Sequence, residues 1–224
     1  MKNNTQSGYM LPISIIIASL LVAGAVILTS NNSPKNTASA DTQSSVEFKV
    51  PGEDDHIRGN INAQITVVEY SDFNCTFCAR LHPTLSKIIE DSGGEVNWAY
   101  RHFANYSKGR VAAIGSECVA KLSGNNAFWE FSDVMFNNQK SLGDKFSIET
   151  AVSLGVNKAD FQSCLDNSRE IEEKIASDRN EALSLGGRGT PFAVIITPKR
   201  QLIPFSGALP YEQISALIEQ AKVN

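Results

Sequence analysis

Two cysteines separated by two residues, Cys75-Thr-Phe-Cys78, are the residues of this chain best suited to chemistry. A thiolate is both nucleophile and leaving group, and two thiols this close can alternate between dithiol and disulfide. The sequence around them favours such work. Ile65-Thr-Val-Val-Glu-Tyr70 is short and rich in β-branched residues, as a buried strand is. From Cys75 to Asp91, Leu81, Leu85, Ile88 and Ile89 share one helical face, and Ser92-Gly93-Gly94 stops the helix. Cys75 therefore falls at a helix start, where unpaired N–H groups and the helix dipole stabilise an anion and lower a thiol pKa. Cys78 lies one turn on and can close a reducible disulfide. The competing reading is half a zinc site, which needs a second Cys/His pair. His56, His82 and His102 are scattered, and Cys118 and Cys164 are single.

The elements that must hold the pair follow from periodicity. Val96 to Phe103 is a second strand, so strand, helix and strand form a βαβ unit with a parallel pair and a right-handed crossover. From about Lys108 to Leu185 the pattern is helical, with Val111, Ile114, Cys118, Val119 and Leu122 at helical spacing. Phe128, Phe131, Val134 and Met135 continue it, and 159–165 and 171–185 are further helices. Ala193 to Thr197 and Gln201 to Phe205 form a hairpin about Pro198-Lys199-Arg200, and Tyr211 to Lys222 closes the chain with an amphipathic helix. The outline is βαβ, a block of helices, then ββα.

The run Val67-Val-Glu-Tyr-Ser-Asp-Phe-Asn-Cys75-Thr-Phe-Cys78 resembles the active-site segment of the thioredoxin superfamily, and more narrowly of DsbA-like thiol:disulfide oxidoreductases of bacterial cell envelopes. Gly189-Thr190-Pro191 before the third strand is the second signature, and Phe128-Trp-Glu130 and Phe161-Gln-Ser-Cys-Leu165 resemble the inserted helical domain. The resemblance covers roughly residues 53–222. It implies a thioredoxin-like α/β fold with a helical insert at about 108–185. It implies that Cys75 is the nucleophile and Cys78 the resolving cysteine, and that a cis Pro191 faces them. Thr190 then tunes potential and substrate contact, and a buried Glu69 assists proton transfer. Taken alone, Thr190-Pro191 reads as an ordinary proline at the start of a strand, and Glu69 equally as a surface residue of an edge strand. Pro83 resembles the helix-kinking proline of the superfamily. The resemblance also implies a structural Cys118–Cys164 disulfide, where counting cysteines alone leaves three pairings open. No metal or organic cofactor is implied. The partners implied are exported, thiol-bearing protein substrates and a quinone-linked DsbB-like or VKOR-like membrane protein. The direction of electron flow stays open between an oxidase and a reductase or isomerase, and a non-catalytic peptide-binding module of the same fold is the alternative from another class.

The N-terminus supplies a compartment. No charged side chain lies between Asn3 and Pro34, and Tyr9 to Leu28 is almost wholly apolar. Twenty helical residues span about 30 Å, the thickness of bilayer hydrocarbon. After a short tail (1–8), residues 9–30 are read as a transmembrane anchor. A signal peptide cleaved after Ala38-Ser-Ala40 is the alternative, and both export the rest of the chain. Residues 31–46 read as a polar flexible linker, and 47–224 as the catalytic domain on the extracytoplasmic side. The 224 residues are 42% apolar and 20% charged, with net charge −4, which excludes wholesale disorder. The acidic balance argues against a nucleic-acid surface. The basic residues Arg101, Lys108 and Arg110 read as a solvated face.

Overall fold

The computed structural model describes residues 48–52 and 55–223. The expected tail at 1–8, anchor or signal segment at 9–30 and linker at 31–46 lie outside them, and among the described residues no helix is long and apolar enough to cross a membrane. A five-stranded sheet is built from β1 (His56–Gly59), β2 (Ile65–Ser71), β3 (Val96–His102), β4 (Phe192–Ile196) and β5 (Leu202–Ser206), in the order β1-β3-β2-β4-β5. β2 and β3 are parallel, with Val67 opposite Trp98 and Glu69 opposite Tyr100, and the other neighbours are antiparallel. Helix α1 (Thr76–Asp91) is the crossover between β2 and β3. The insert comprises α2 (Ser107–Asn137), α3 (Asp144–Ser153), α4 (Lys158–Asp166) and α5 (Arg169–Ser184), and α6 (Tyr211–Val223) closes the chain.

Side chains alternate across β2, so each face of the sheet has its own core. Ile65 and Val67 join Trp98, Tyr100, Ala193 and Ile195 beneath α1, α6 and most of the insert. Val68 and Tyr70 join Ala99, Phe103, Phe192 and Val194 on the face that Ala182 of α5 covers. Glu69 has the parity of Ile65 and Val67, so the pleat aims it at the face under α1. Leu81 and Leu85, both fully buried on α1, contribute roughly 1.5–3 kcal/mol each.

Three features differ from the reading of the sequence. β1 carries no strand signature: His56-Ile-Arg-Gly59 is mostly polar and is extended because its backbone pairs with β3. α2 is two helical arms, because Gly124 takes φ 83° and ψ −178°, outside helical geometry and in a region where glycine escapes the Cβ penalty. Arg101 is no solvated residue: it is 3% exposed, with its guanidinium paired to Asp55 and Glu181. Arg110 is exposed and pairs with Glu172. The β4–β5 hairpin closes with the Arg200 N–H donating to the Thr197 carbonyl and Arg200 itself at φ 62°.

Candidate active site

The turn that leads β2 into α1 sets the nucleophile in place. The Cys75 N–H donates to the Asp72 carbonyl at 2.9 Å, closing a tight turn over 72–75. Cys75 is then the N-cap of α1, with extended φ/ψ and no side-chain cap bond, so its own sulfur occupies the place of a capping oxygen. Asp72, 1% exposed, holds the turn from below. One carboxylate oxygen accepts from the Asn74 N–H at 2.8 Å, and the other from the N–H groups of Asn105 and Tyr106 at 2.6 and 3.0 Å. Those two residues lead into α2, so Asp72 joins the active-site turn to the start of the insert. Gly109 allows this approach, because a Cβ there would fall 1.8 Å from Asp72 Oδ1. From the far end of α2, Gln139 Nε2 donates to the carbonyls of Phe73 at 2.7 Å and Cys75 at 2.9 Å.

The two thiols sit in opposite electrostatic environments. Cys75 is 6% exposed and Cys78 is fully buried, and both are free cysteines. The Cys75 thiol is lowered to about 5, first by the hydrogen bond from Cys78, then by the Thr190 hydroxyl and the Cys78 and Phe77 amides, against the opposing effect of burial. Burial pushes the Cys78 thiol up, and the bond to Cys75 and the charge of Glu69 add to the rise. The pair therefore shares one proton, held on Cys78, and leaves Cys75 as the thiolate. Glu69, fully buried, is raised to about 8 by burial, and Ser71 and Trp98 beside it oppose the shift only in part. It is a neutral acid near pH 7.

Pro191 completes the site. The Thr190–Pro191 peptide is cis, and the Thr190 carbonyl oxygen lies 3.3 Å from Cys75 Sγ, where it accepts from the thiol when that is protonated. Proline brings no N–H of its own to the sulfurs. Beside the pair, Phe77 is exposed, with the Arg80 guanidinium 4.4 Å from its ring centroid. The structure thus gathers Cys75, Cys78, Glu69, Thr190 and Pro191 in one place.

It keeps Cys118 and Cys164 apart from them. These are joined as a disulfide across 46 residues, between the first arm of α2 and α4. Pro83 lies within α1, where it removes a backbone donor. His82 directs Nε2 to Asp133 at 2.6 Å. His56 and His102 both bond Glu117 at 2.9 Å. Among the described residues no group of three or more His, Cys, Asp or Glu is placed to hold a metal ion. The reading of the sequence passed over Asp72 and Gln139. Asp72 stands inside the motif but was silent about its partners, and Gln139 has no local signature at all.

Comparison with known proteins agrees with this fold. The family described as Thioredoxin matches residues 52–220. Among solved structures, alpha-DsbA1 from Wolbachia pipientis superposes with a TM-score of 0.69 at 24% identity, covering 79% of this chain and 95% of that one. DsbA2 from Pseudomonas aeruginosa gives 0.65 at 23%, covering 79% and 98%. Oxidised BdbD from Bacillus subtilis gives 0.62 at 21%, covering 75% and 92%. At these identities the likeness concerns the fold. A curated relative, a Na(+)/H(+) antiporter NhaA of Herminiimonas arsenicoxydans, is 31% identical over 80% of this chain. This chain spans only 28% of that protein's length, and about a quarter of the length of similar antiporters from Mycolicibacterium gilvum and Salinispora tropica.

Proposed function

Because the chain belongs to the thioredoxin family and carries the fold of its DsbA-like members, we propose that it is an extracytoplasmic thiol:disulfide oxidoreductase that introduces disulfides into exported proteins at Cys75-Thr-Phe-Cys78. The observation that carries this reading is the asymmetry of the two thiols: Cys75 held as thiolate at a helix start, Cys78 buried and protonated. A stabilised Cys75 thiolate is a good leaving group and favours the reduced form of the enzyme, which makes the disulfide form an oxidant. A pKa of about 5 lies between the roughly 7 of a reducing thioredoxin and the roughly 3.5 of a strong oxidant.

In the oxidising direction a substrate thiolate attacks Cys75 Sγ of the Cys75–Cys78 disulfide. The bond between the two enzyme sulfurs breaks, its electron pair goes to Cys78, and Glu69, neutral at pH 7, supplies the proton. A second substrate thiolate then attacks the substrate sulfur of the mixed disulfide and expels Cys75 as its stabilised thiolate. The substrate loses two electrons and the enzyme ends as the dithiol. An extended substrate strand would lie along the peptides flanking Pro191, as an added strand does at a sheet edge. The reduced enzyme is reoxidised by a quinone-linked membrane protein of DsbB-like or VKOR-like type. A transmembrane anchor at 9–30, with the catalytic domain outside the cytoplasm, keeps it near that partner. The membrane proteins named among the curated relatives support a membrane setting, while the ion exchange in their names is said of them alone.

The test is trapping. Cys78→Ser enzyme whose Cys75 is activated as a mixed disulfide with glutathione, added to a protein with a single reduced thiol, should release the glutathione and yield a stable covalent complex through Cys75, and the unsubstituted oxidised enzyme should pass one disulfide to a reduced two-thiol protein. A protein that binds such substrates but forms no Cys75 adduct would instead be a peptide-binding module. Net reduction of substrate disulfides under the same conditions would make it a reductase.

A further inference from the structure

Both ends of the insert's long helical segment reach the same four residues. α2 starts at Ser107, just after the two amides that grip Asp72, and its two arms, folded at Gly124, end at Asn137. The single 3-10 turn that follows, Gln139–Ser141, puts the Gln139 amide on the carbonyls of Phe73 and Cys75. Phe73 between them is fully buried, its ring 4.9 Å from that of Phe136 in the second arm. One amide nitrogen carries two hydrogens, and each meets one carbonyl, so the donor capacity of Gln139 is spent on the turn. The Cys75 carbonyl also accepts from the Ala79 N–H at 3.1 Å, the first bond of α1, which fills both its lone pairs.

We propose that Gln139 is a positioning residue for the nucleophile: by holding the Phe73 and Cys75 carbonyls, it keeps the 72–75 turn in the shape that sets the Cys75 sulfur under the first amides of α1. This rests on the reading of Cys75 as the exchange nucleophile. Two effects act together. Carbonyl oxygens are the negative ends of peptide dipoles, and a donor that holds them on the insert side keeps them from turning toward a thiolate. A donor on the Cys75 carbonyl also polarises the Cys75–Thr76 peptide, which strengthens the hydrogen bonds of the first helical turn in series with it. The insert is then a part of the exchange site, reaching the reacting sulfur through a residue outside both sequence motifs. Cys78 of α1 and Glu69 of β2 are the titratable groups that act on Cys75, and the Gln139 amide spends its donors on the Phe73 and Cys75 carbonyls, so substitution at 139 leaves both in place.

The experiment titrates the thiolate absorbance of the reduced full chain, with a thermal melt on each sample. Gln139→Leu removes both donors and should raise the Cys75 pKa by about one unit. Gln139→Glu keeps the size, removes the donors and adds a charge, and should raise it further. Asn138→Ala is the control: the Asn138 amide donates to the Val134 carbonyl in the last turn of α2 and not to the 72–75 turn, so the substitution should lower the melting point without moving the pKa. Gln139→Met, nearer in shape and equally without donors, serves if either variant unfolds, and should raise the pKa as much as Gln139→Leu. Variants that melt lower but titrate with the wild type would overturn the clamp and leave the exchange reading standing. A wild-type thiol titrating near 8.5 would overturn both.

Discussion

The two cysteine pairs of this protein are the same atoms put to opposite uses. Cys75 and Cys78 are three residues apart at the start of a helix, where amides face one sulfur and burial holds the proton on the other. Cys118 and Cys164 are 46 residues apart, on two helices of the insert, with Cys118 fully buried among apolar side chains and neither cysteine at the start of its helix. Chain entropy explains the second pair: closing a loop of that size contributes about 4 kcal/mol by restricting the unfolded chain. It does not explain the first, whose loop is too short to restrain much. The difference between a staple and a reactive pair lies in the field around the sulfurs, which the elements flanking each cysteine set.

The largest effect that can break this comparison is chemical. Cys75→Ser should cut disulfide transfer to a reduced substrate at least about 1,000-fold, because no other group there is a comparable nucleophile. A transfer assay that found full rate would remove the basis for separating the pairs. Replacing both Cys118 and Cys164 by alanine should do the reverse, lowering the melting point by roughly 10 °C while the Cys75 titration stays put. A shift of the Cys75 pKa in that variant would mean that the staple also tunes the site.

Smaller effects sharpen the electrostatic half of the comparison. Glu69 has its folded pKa raised from 4.5 to about 8, so the native state holds the proton more tightly than the unfolded chain. Its contribution to stability is full below about 4.5 and is lost as pH rises through 8. Glu69→Gln should therefore leave the protein more stable than wild type at pH 8–9, by about 1–3 kcal/mol, with little difference at pH 4, and it should slow the release of Cys78. Denaturant melts at the two pH values read the first effect and stopped-flow exchange the second. One turn beyond Cys78 and at the end of β3, His82 and His102 are lowered by burial, while Glu117 and Asp133 are lowered overall by their histidine and cation partners. Unfolding lets the histidines take up protons near their ordinary pKa of 6.5, so stability should fall as pH drops below about 6.5. It should fall again below about 4.5 as the carboxylates protonate. A flat profile from pH 7 to 4 would mean that these groups feel the same environment in both states.

What the sequence announced and what it hid divide along a physical line. Cys75, Cys78 and Thr190-Pro191 were legible because their chemistry needs particular residue types at fixed local spacing. The parallel β2–β3 pair and its crossover were legible because period and handedness constrain them. Glu69 was half legible: its position on β2 could be read, but its burial depends on which face of the sheet carries α1. β1 was not legible, because a four-residue polar strand exists only through its pairing with β3. Gln139 and the partners of Asp72 were hidden for a similar reason. Their meaning is a contact brought about when the insert folds back, and a glutamine three residues after a phenylalanine has no local signature. Arg101 looked solvated because Lys108 and Arg110 follow it in the chain, whereas its neighbours in space are Asp55 and Glu181.

The most direct test of the central claim, that the field around Cys75 makes this pair a disulfide donor, is the reduction potential of the Cys75–Cys78 couple. It is read by equilibrating the full chain in glutathione buffers of known poise and counting free Cys75. The account predicts a value well above that of a reducing thioredoxin, between about −200 and −120 mV. A value near −270 mV would contradict it, leaving the fold intact and reversing the direction in which the site passes electrons.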